Sequence, residues 1–191
     1  MGKLYVIGIG PGGLDHLSKR ALDCIKESDV IVGYNKYIEF LQPLLEDQQI
    51  HQTGMTKEID RCNEALRLSK DHIVSLVSTG DAGVYGMAGL ALELRKEEEI
   101  EIIPGITASC SAASVLGAPL MHDHCNISLS DLMTPYDLIQ KRVKLAAEAD
   151  FVISLYNPRS KGRPHYLKES MDIIKEYRDL DTPVGIVKNA L

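Results

Sequence analysis

The stretch "YVIGIGPGGLDHLSKRAL", Tyr5 to Leu22, decides the fold. An unbroken apolar run meets a glycine cluster, and apolar positions at helical spacing follow. This is the pattern of a buried strand that turns tightly into a helix, the building unit of a parallel α/β sheet. Gly8, Gly10 and Gly13 satisfy G-x-G-x-x-G. That spacing serves dinucleotides when the loop amides face a pyrophosphate and an acidic residue about 20 positions on holds the ribose at the end of the second strand. Here Glu27 and Asp29 precede the predicted second strand, Val30 to Val32, and Gly33 and Tyr34 follow it. Pro11 also removes one amide from the loop. The match is therefore formal, and NAD is disfavoured. A plain strand-to-helix turn would need the same glycines.

The pattern recurs outward from this unit. Lys3 to Ile9 reads as a strand. Leu14, Leu17, Ala21, Cys24 and Ser28 define a helix face, with Asp15 as its N-cap. Helices are predicted around Lys36 to Leu45, over Thr56 to Lys70 with Ile59, Cys62 and Leu66 on one face, over Met87 to Glu98 and over Thr107 to Leu116. Strands are predicted at His72 to Ser78 and over "IEIIPG", ending at Pro104. "GAPLMHDH" interrupts the periodicity, so residues 118–124 read as a linker between an N-terminal lobe, 1–117, and a C-terminal lobe, 125–191. The second lobe carries strands at Asn126 to Leu129, Phe151 to Tyr156 and Pro183 to Lys188, with helices at Pro135 to Glu148 and Pro164 to Asp179. Alternating strands and helices predict mostly parallel sheets, whose ligands sit beyond the carboxyl ends of the strands.

The bulk properties narrow the class. The 191 residues carry a net charge of −6 and no Trp, so the chain offers no global attraction for nucleic acid, and its sequence shows no basic stripe interleaved with aromatics. No apolar run approaches the roughly 20 residues that span a bilayer. The N-terminus shows no secretory pattern and no myristoylation signal at Gly2. Cys24, Cys62, Cys110 and Cys125 form no C-x-x-C pair. The first three fall in apolar helical patterns and read as reduced core thiols of a cytoplasmic protein.

Two further glycine loops follow predicted strands. "STGDAGVYG", Ser78 to Gly86, carries Asp81, which caps the next helix or lines a ligand crevice. An aspartate there repels phosphate and suits hydroxyls, amides or an ammonium group. "PGITASCSAAS", Pro104 to Ser114, offers small side chains that let a bulky ligand reach the backbone. None of the three loops carries a P-loop lysine, which points to a cofactor without a phosphate chain.

With these residues in hand, the sequence resembles the tetrapyrrole methyltransferase family. "GIGPGG", "TGDAGVYG", "PGITAS", "SLYNPRS" and "PVGIVKNA" stand in the family's order. "GMTKEIDRCNEAL" and "LYNPRSKGRPHYL" resemble the branch that methylates C17 of precorrin-3B or cobalt-factor III in cobalamin synthesis, with ring contraction. The resemblance implies two α/β lobes with S-adenosylmethionine in a cleft between them, a homodimer, and S-adenosylhomocysteine as product. It implies cofactor contacts from Pro11, Thr79, Gly80, Asp81, Val84, Thr107, Ala108, Asn157 and Ala190. Asn157 stands where many relatives carry Met. Relatives continue beyond "IVKNA", so the second lobe is expected to be incomplete.

A sulfonium is already an activated methyl donor, so the transfer needs alignment rather than a nucleophile or a metal. Ring contraction needs proton transfers, for which Asp81, Tyr85, His122 and His124 are the candidates; none is singled out by spacing. His122 and His124 lack a third ligand and read as loop composition rather than a metal site. A tetrapyrrole substrate is a polycarboxylate, and Arg159, Lys161 and Arg163 share one loop after a strand, where arginine forks suit carboxylates. Lys36, Lys57 and Arg61 are weaker candidates. A sibling enzyme acting at another carbon such as C11, a NAD-dependent dehydrogenase and a non-catalytic adenosyl-binding module are the alternatives.

Overall fold

The computed structural model describes residues 2–54, 56–160, 162–188 and 190. The chain divides into two compact units, the first comprising Met1–Ser111 with the chain's last residues, Ala190 among them, and the second spanning Ala112–Lys188.

In the first unit β1 (Lys3–Gly8) runs through the glycine loop and one 3-10 turn into α1 (Lys19–Glu27). β2 (Val30–Tyr34), α2 (Asn35–Leu41), β3 (Gln49–Thr53), α3 (Glu58–Leu68), β4 (Ile73–Ser78), α4 (Ala88–Leu94) and β5 (Ile100–Ile103) follow. The strands form one parallel five-stranded sheet in the order β3-β2-β4-β1-β5. Both faces are covered. Leu4, Val6, Val74 and Leu76 pack with Cys62, Ala65 and Leu66 of α3 and Ala88 and Ala91 of α4. Tyr5, Ile7, Ile31 and Val77 pack with Ala21, Cys24 and Ile25 of α1 and Ile38 and Leu41 of α2. Burial on both faces is why these strands are continuous apolar runs rather than alternating ones. Burial also pushes the Cys24 and Cys62 thiols up to about 11, so both stay protonated.

The second unit begins within α5 (Ala108–Val115). β6 (His124–Ser128) and β7 (Val152–Tyr156) pair in parallel. α6 (Tyr136–Glu148) and α7 (Tyr166–Lys175) supply Ile139, Val143, Ile173 and Ile174 to a small core with Ile127, Leu129, Ile153 and Leu155.

The parallel α/β class agrees with the sequence, and several local expectations do not. Asp15 does not cap α1. The chain makes a 3-10 turn over Leu14–His16, and Ser18 is the cap, its Oγ accepting from the Ala21 amide at 3.1 Å. β3 has no counterpart in the sequence reading, because an edge strand of sequence QIHQT carries little apolar signal. Ile59 is 59% exposed, since α3 turns Arg61, Cys62 and Ala65 inward instead. Cys110 is exposed rather than buried. Residues 183–187 form no strand. A strand exists only as a partner in a ladder, and this segment has none among the described residues, leaving Ile186 89% exposed. Among the described residues no helix is long and apolar enough to cross a membrane.

Candidate functional site

β1 lies between β4 and β5, so the three glycine loops leave adjacent carboxyl ends of one sheet. The first two loops are joined directly. The Gly10 amide donates to the Gly80 carbonyl at 3.0 Å and the Gly80 amide returns a bond to the Gly10 carbonyl at 2.7 Å. Both residues have positive φ, +70° and +72°, which a side chain would oppose. The third loop presses against the other two. A Cβ on Gly105 would lie 2.3 Å from the Gly80 carbonyl oxygen and 2.5 Å from that of Gly8. A Cβ on Gly8 would lie 2.6 Å from the Gly80 oxygen. The glycines therefore mark places where backbone meets backbone.

Asp81 ties this cluster together. Its Oδ1 accepts from the amides of Gly83 at 2.8 Å and Val84 at 3.1 Å, and its Oδ2 from the amide of Gly105 at 2.9 Å. Pro11, Thr79, Gly80, Asp81, Val84 and Thr107 are half-buried, and Ala108 is exposed at the start of α5. One edge of the first unit thus gathers seven of the nine cofactor candidates on accessible backbone and small side chains. Ala190 is half-buried and groups with this unit. Tyr85 belongs to the same loop, at φ +55° and 52% exposed. No acid stands at the end of β2, where Tyr34 leads straight into Asn35 of α2.

Asn157, in the second unit, follows β7 at φ +50° and donates from Nδ2 to Ser128 Oγ at 3.0 Å. Asparagine is one of the residues that tolerate the left-handed region well. Arg159 is exposed, and among the described residues no carboxylate pairs with it. It rims a groove of about 430 Å³ with Pro158, Pro164, Leu167 and Met171, beside Lys168 and Lys175 of α7, both of which pair with Asp172 in the same lining. Arg163 is held differently. Its Nε lies 3.4 Å from Asp131, its Nη1 donates to the Leu129 carbonyl, and Asp131 also accepts from the Tyr166 hydroxyl at 2.9 Å. Tyr166 stacks on Tyr136, which donates to Glu169. Burial and that carboxylate together raise the Tyr136 pKa. Lys161 lies outside the described residues.

His122 and His124 are exposed at the amino end of β6, the opposite edge of this sheet from Asn157. Among the described residues no group of three histidine, cysteine or acidic side chains could hold a metal. Lys36 is exposed and Lys57 pairs with Asp60 at 3.0 Å. Arg61 is buried, its guanidinium donating to Thr53 Oγ1 and the Gly54 carbonyl. Spacing alone did not reveal that Arg61 and Arg163 are internal struts. Their signal is a neighbouring acceptor distant in sequence.

The family model for tetrapyrrole (corrin/porphyrin) methylases matches residues 3–191. A cobalt-factor III methyltransferase of Priestia megaterium is 52% identical over 99% of this chain and 37% of its own length. A probable cobalt-factor III C(17)-methyltransferase of Salmonella typhimurium is 49% identical over 98% of this chain and 80% of its own length. The chain thus spans well under half of the first relative and most of the second. Among solved structures, the methyltransferase CobJ superposes with a TM-score of 0.87 at 39% identity, over 94% of this chain and 77% of that one.

Proposed function

The chain belongs to the tetrapyrrole (corrin/porphyrin) methylase family, and on that premise we propose that it transfers a methyl group from S-adenosylmethionine to C17 of cobalt-factor III or precorrin-3B, with ring contraction, in cobalamin synthesis. The observation that carries this reading is the joining of three glycine loops on one sheet edge through Gly10, Gly80, Asp81 and Gly105. The names of the matched relatives support the substrate and the carbon.

The loops fit S-adenosylmethionine by the chemistry of their donors. Backbone and small side chains suit an uncharged adenosine and an amino acid, while Pro11 in the first loop, which lacks an amide, and the Asp81 carboxylate in the second do not suit a pyrophosphate. Pro11, Thr79, Gly80, Asp81, Val84, Thr107 and Ala108 would hold the cofactor, with Asn157 and Ala190 as further contacts. When bound, the sulfonium supplies an electrophilic methyl group. The chain's own task is to orient that group and the substrate carbon in line, an effect that can lower a barrier by roughly 7–11 kcal/mol at best. Arg159 engages a peripheral carboxylate of the macrocycle. The buried, unpaired thiols Cys24 and Cys62 support a reducing, cytoplasmic setting. The family resemblance supports a homodimer.

Incubation with S-adenosylmethionine and either tetrapyrrole, followed by mass analysis, tests the reaction. A product methylated at C17 is expected, and methylation at another carbon such as C11 would overturn the assignment. Calorimetry is expected to show micromolar or tighter S-adenosylhomocysteine binding and no NADH binding. Arg159→Ala is expected to weaken tetrapyrrole binding about tenfold, a loss of about 1.4 kcal/mol, while leaving S-adenosylhomocysteine affinity unchanged. Arg163→Ala acts elsewhere. It leaves the Leu129 carbonyl without its donor and Asp131 with the Tyr166 hydroxyl alone, so urea unfolding should show the second unit weakened by about 1–3 kcal/mol.

A further inference from the structure

We propose that Asp81 is a positioning residue: its carboxylate staples the loop after β4 to the loop after β5 and does not exchange a proton with the substrate. For its functional consequence the proposal rests on the S-adenosylmethionine reading above; its geometry stands without it.

A carboxylate accepts and, while ionised, donates nothing. Every hydrogen-bond partner of this one named above is a backbone amide. Gly83 and Val84 hold Oδ1, closing the turn of its own loop. Gly105, 24 residues away, holds Oδ2 from the next loop. Three of the carboxylate's lone pairs are committed to backbone amides: Oδ1 accepts two bonds, so a proton there would displace one of them, and Oδ2 accepts the one from Gly105. What these bonds serve is the joining of two loops. The loops are also packed so that Gly105 has no room for a side chain beside the carbonyl oxygens of Gly80 and Gly8. The staple thus holds the third loop against the other two and fixes the distance between Gly80 and Thr107. A Cβ on Gly80 would meet Thr107 Cα at 3.8 Å and the Ala108 amide nitrogen at 3.9 Å. Any ligand lying on Thr79, Gly80, Thr107 and Ala108 depends on that spacing.

Asp81→Asn separates positioning from proton transfer. An amide keeps one acceptor oxygen and presents an NH₂ in place of the other. Whichever way it turns, one of the two loops loses its acceptor. Hydrogen exchange followed by NMR is expected to accelerate about tenfold or more at the Gly105 amide or at the Gly83 and Val84 amides, and the S-adenosylhomocysteine Kd is expected to rise about tenfold or more. At saturating S-adenosylmethionine the pH profile of kcat should keep its wild-type shape. The opposite result overturns the proposal: kcat lost, with S-adenosylhomocysteine affinity and all three amide protections unchanged. If the variant does not fold, the wild-type protein still decides. The Gly83, Val84 and Gly105 amides must exchange slowly in it, and free exchange at Gly105 refutes the staple. If wild-type protein fails to bind S-adenosylhomocysteine, the cofactor reading falls, while the exchange measurements judge the staple independently.

Discussion

Gly105→Ala is expected to abolish measurable S-adenosylhomocysteine binding and to be among the most damaging single-methyl insertions in the first unit. The added Cβ would lie 2.3 Å from the Gly80 carbonyl oxygen, 2.5 Å from the Gly8 oxygen and 2.6 Å from the Gly8 carbonyl carbon. All three are main-chain atoms, so no rotamer change relieves the contact. The loop after β5 must move off the sheet edge, which breaks the Gly105–Asp81 bond and strains the reciprocal Gly10–Gly80 pair. Overpacking of a tight interior costs about 1–3 kcal/mol when side chains can adjust, and a backbone obstacle puts this case at or above the upper end. Gly89→Ala is the matched control. It lies inside α4, and a Cβ there meets nothing within 4 Å. Alanine at that position should be neutral or stabilising by up to about 1 kcal/mol, because glycine is the poorer helix former. Urea unfolding and calorimetry on the two variants check both halves. Retained binding in Gly105→Ala would mean the three loops do not form one bed.

Leu76→Ala is expected to destabilise the first unit by about 2–5 kcal/mol, the range for deleting a large aliphatic side chain from a packed core. Leu76 is fully buried in β4, a strand flanked by β2 and β1, within the cluster that joins the sheet to α3 and α4. Neighbours held by backbone ladders on both sides collapse poorly into a cavity, which favours the higher figures. Leu145→Ala in α6 provides the contrast, since Leu145 is 52% exposed and its loss should stay within about 0.5 kcal/mol. Because the chain divides into two units, unfolding should be followed by amide exchange as well as by a global signal. The Leu76→Ala loss should appear in amides of β1, β2 and β4 and leave those of β6 and β7 unchanged.

The legible and illegible parts of the chain differ for physical reasons. β1, β2 and β4 are buried on both faces, so they read as runs rich in Val, Ile and Leu, and a glycine stands within or just after each. β3 is covered on one edge only, and its polar residues hide it. Val184 and Ile186 look like strand residues but have no ladder partner among the described residues, because β pairing is a long-range event that local composition does not report. Ile59 and Cys110 sit in good helical patterns, yet periodicity marks an apolar face without saying which part of it a neighbour covers. In the site, glycine spacing identified the loops and could not disclose the hydrogen-bond partners of Asp81. Arg159 and Arg163 are four positions apart in one basic loop. Only the carbonyl of Leu129 and the carboxylate of Asp131, both distant in sequence, make the second of them a strut.

Local chemistry written in the chain was enough to set the α/β class, the parallel strands, the three glycine turns and the family. Tertiary structure alone decided that β1 is inserted between β4 and β5, so that turns separated by about 70 and 95 residues share one edge. Strand order depends on which buried faces and ladders satisfy one another across the whole sheet, and no window of sequence contains both partners of such a contact.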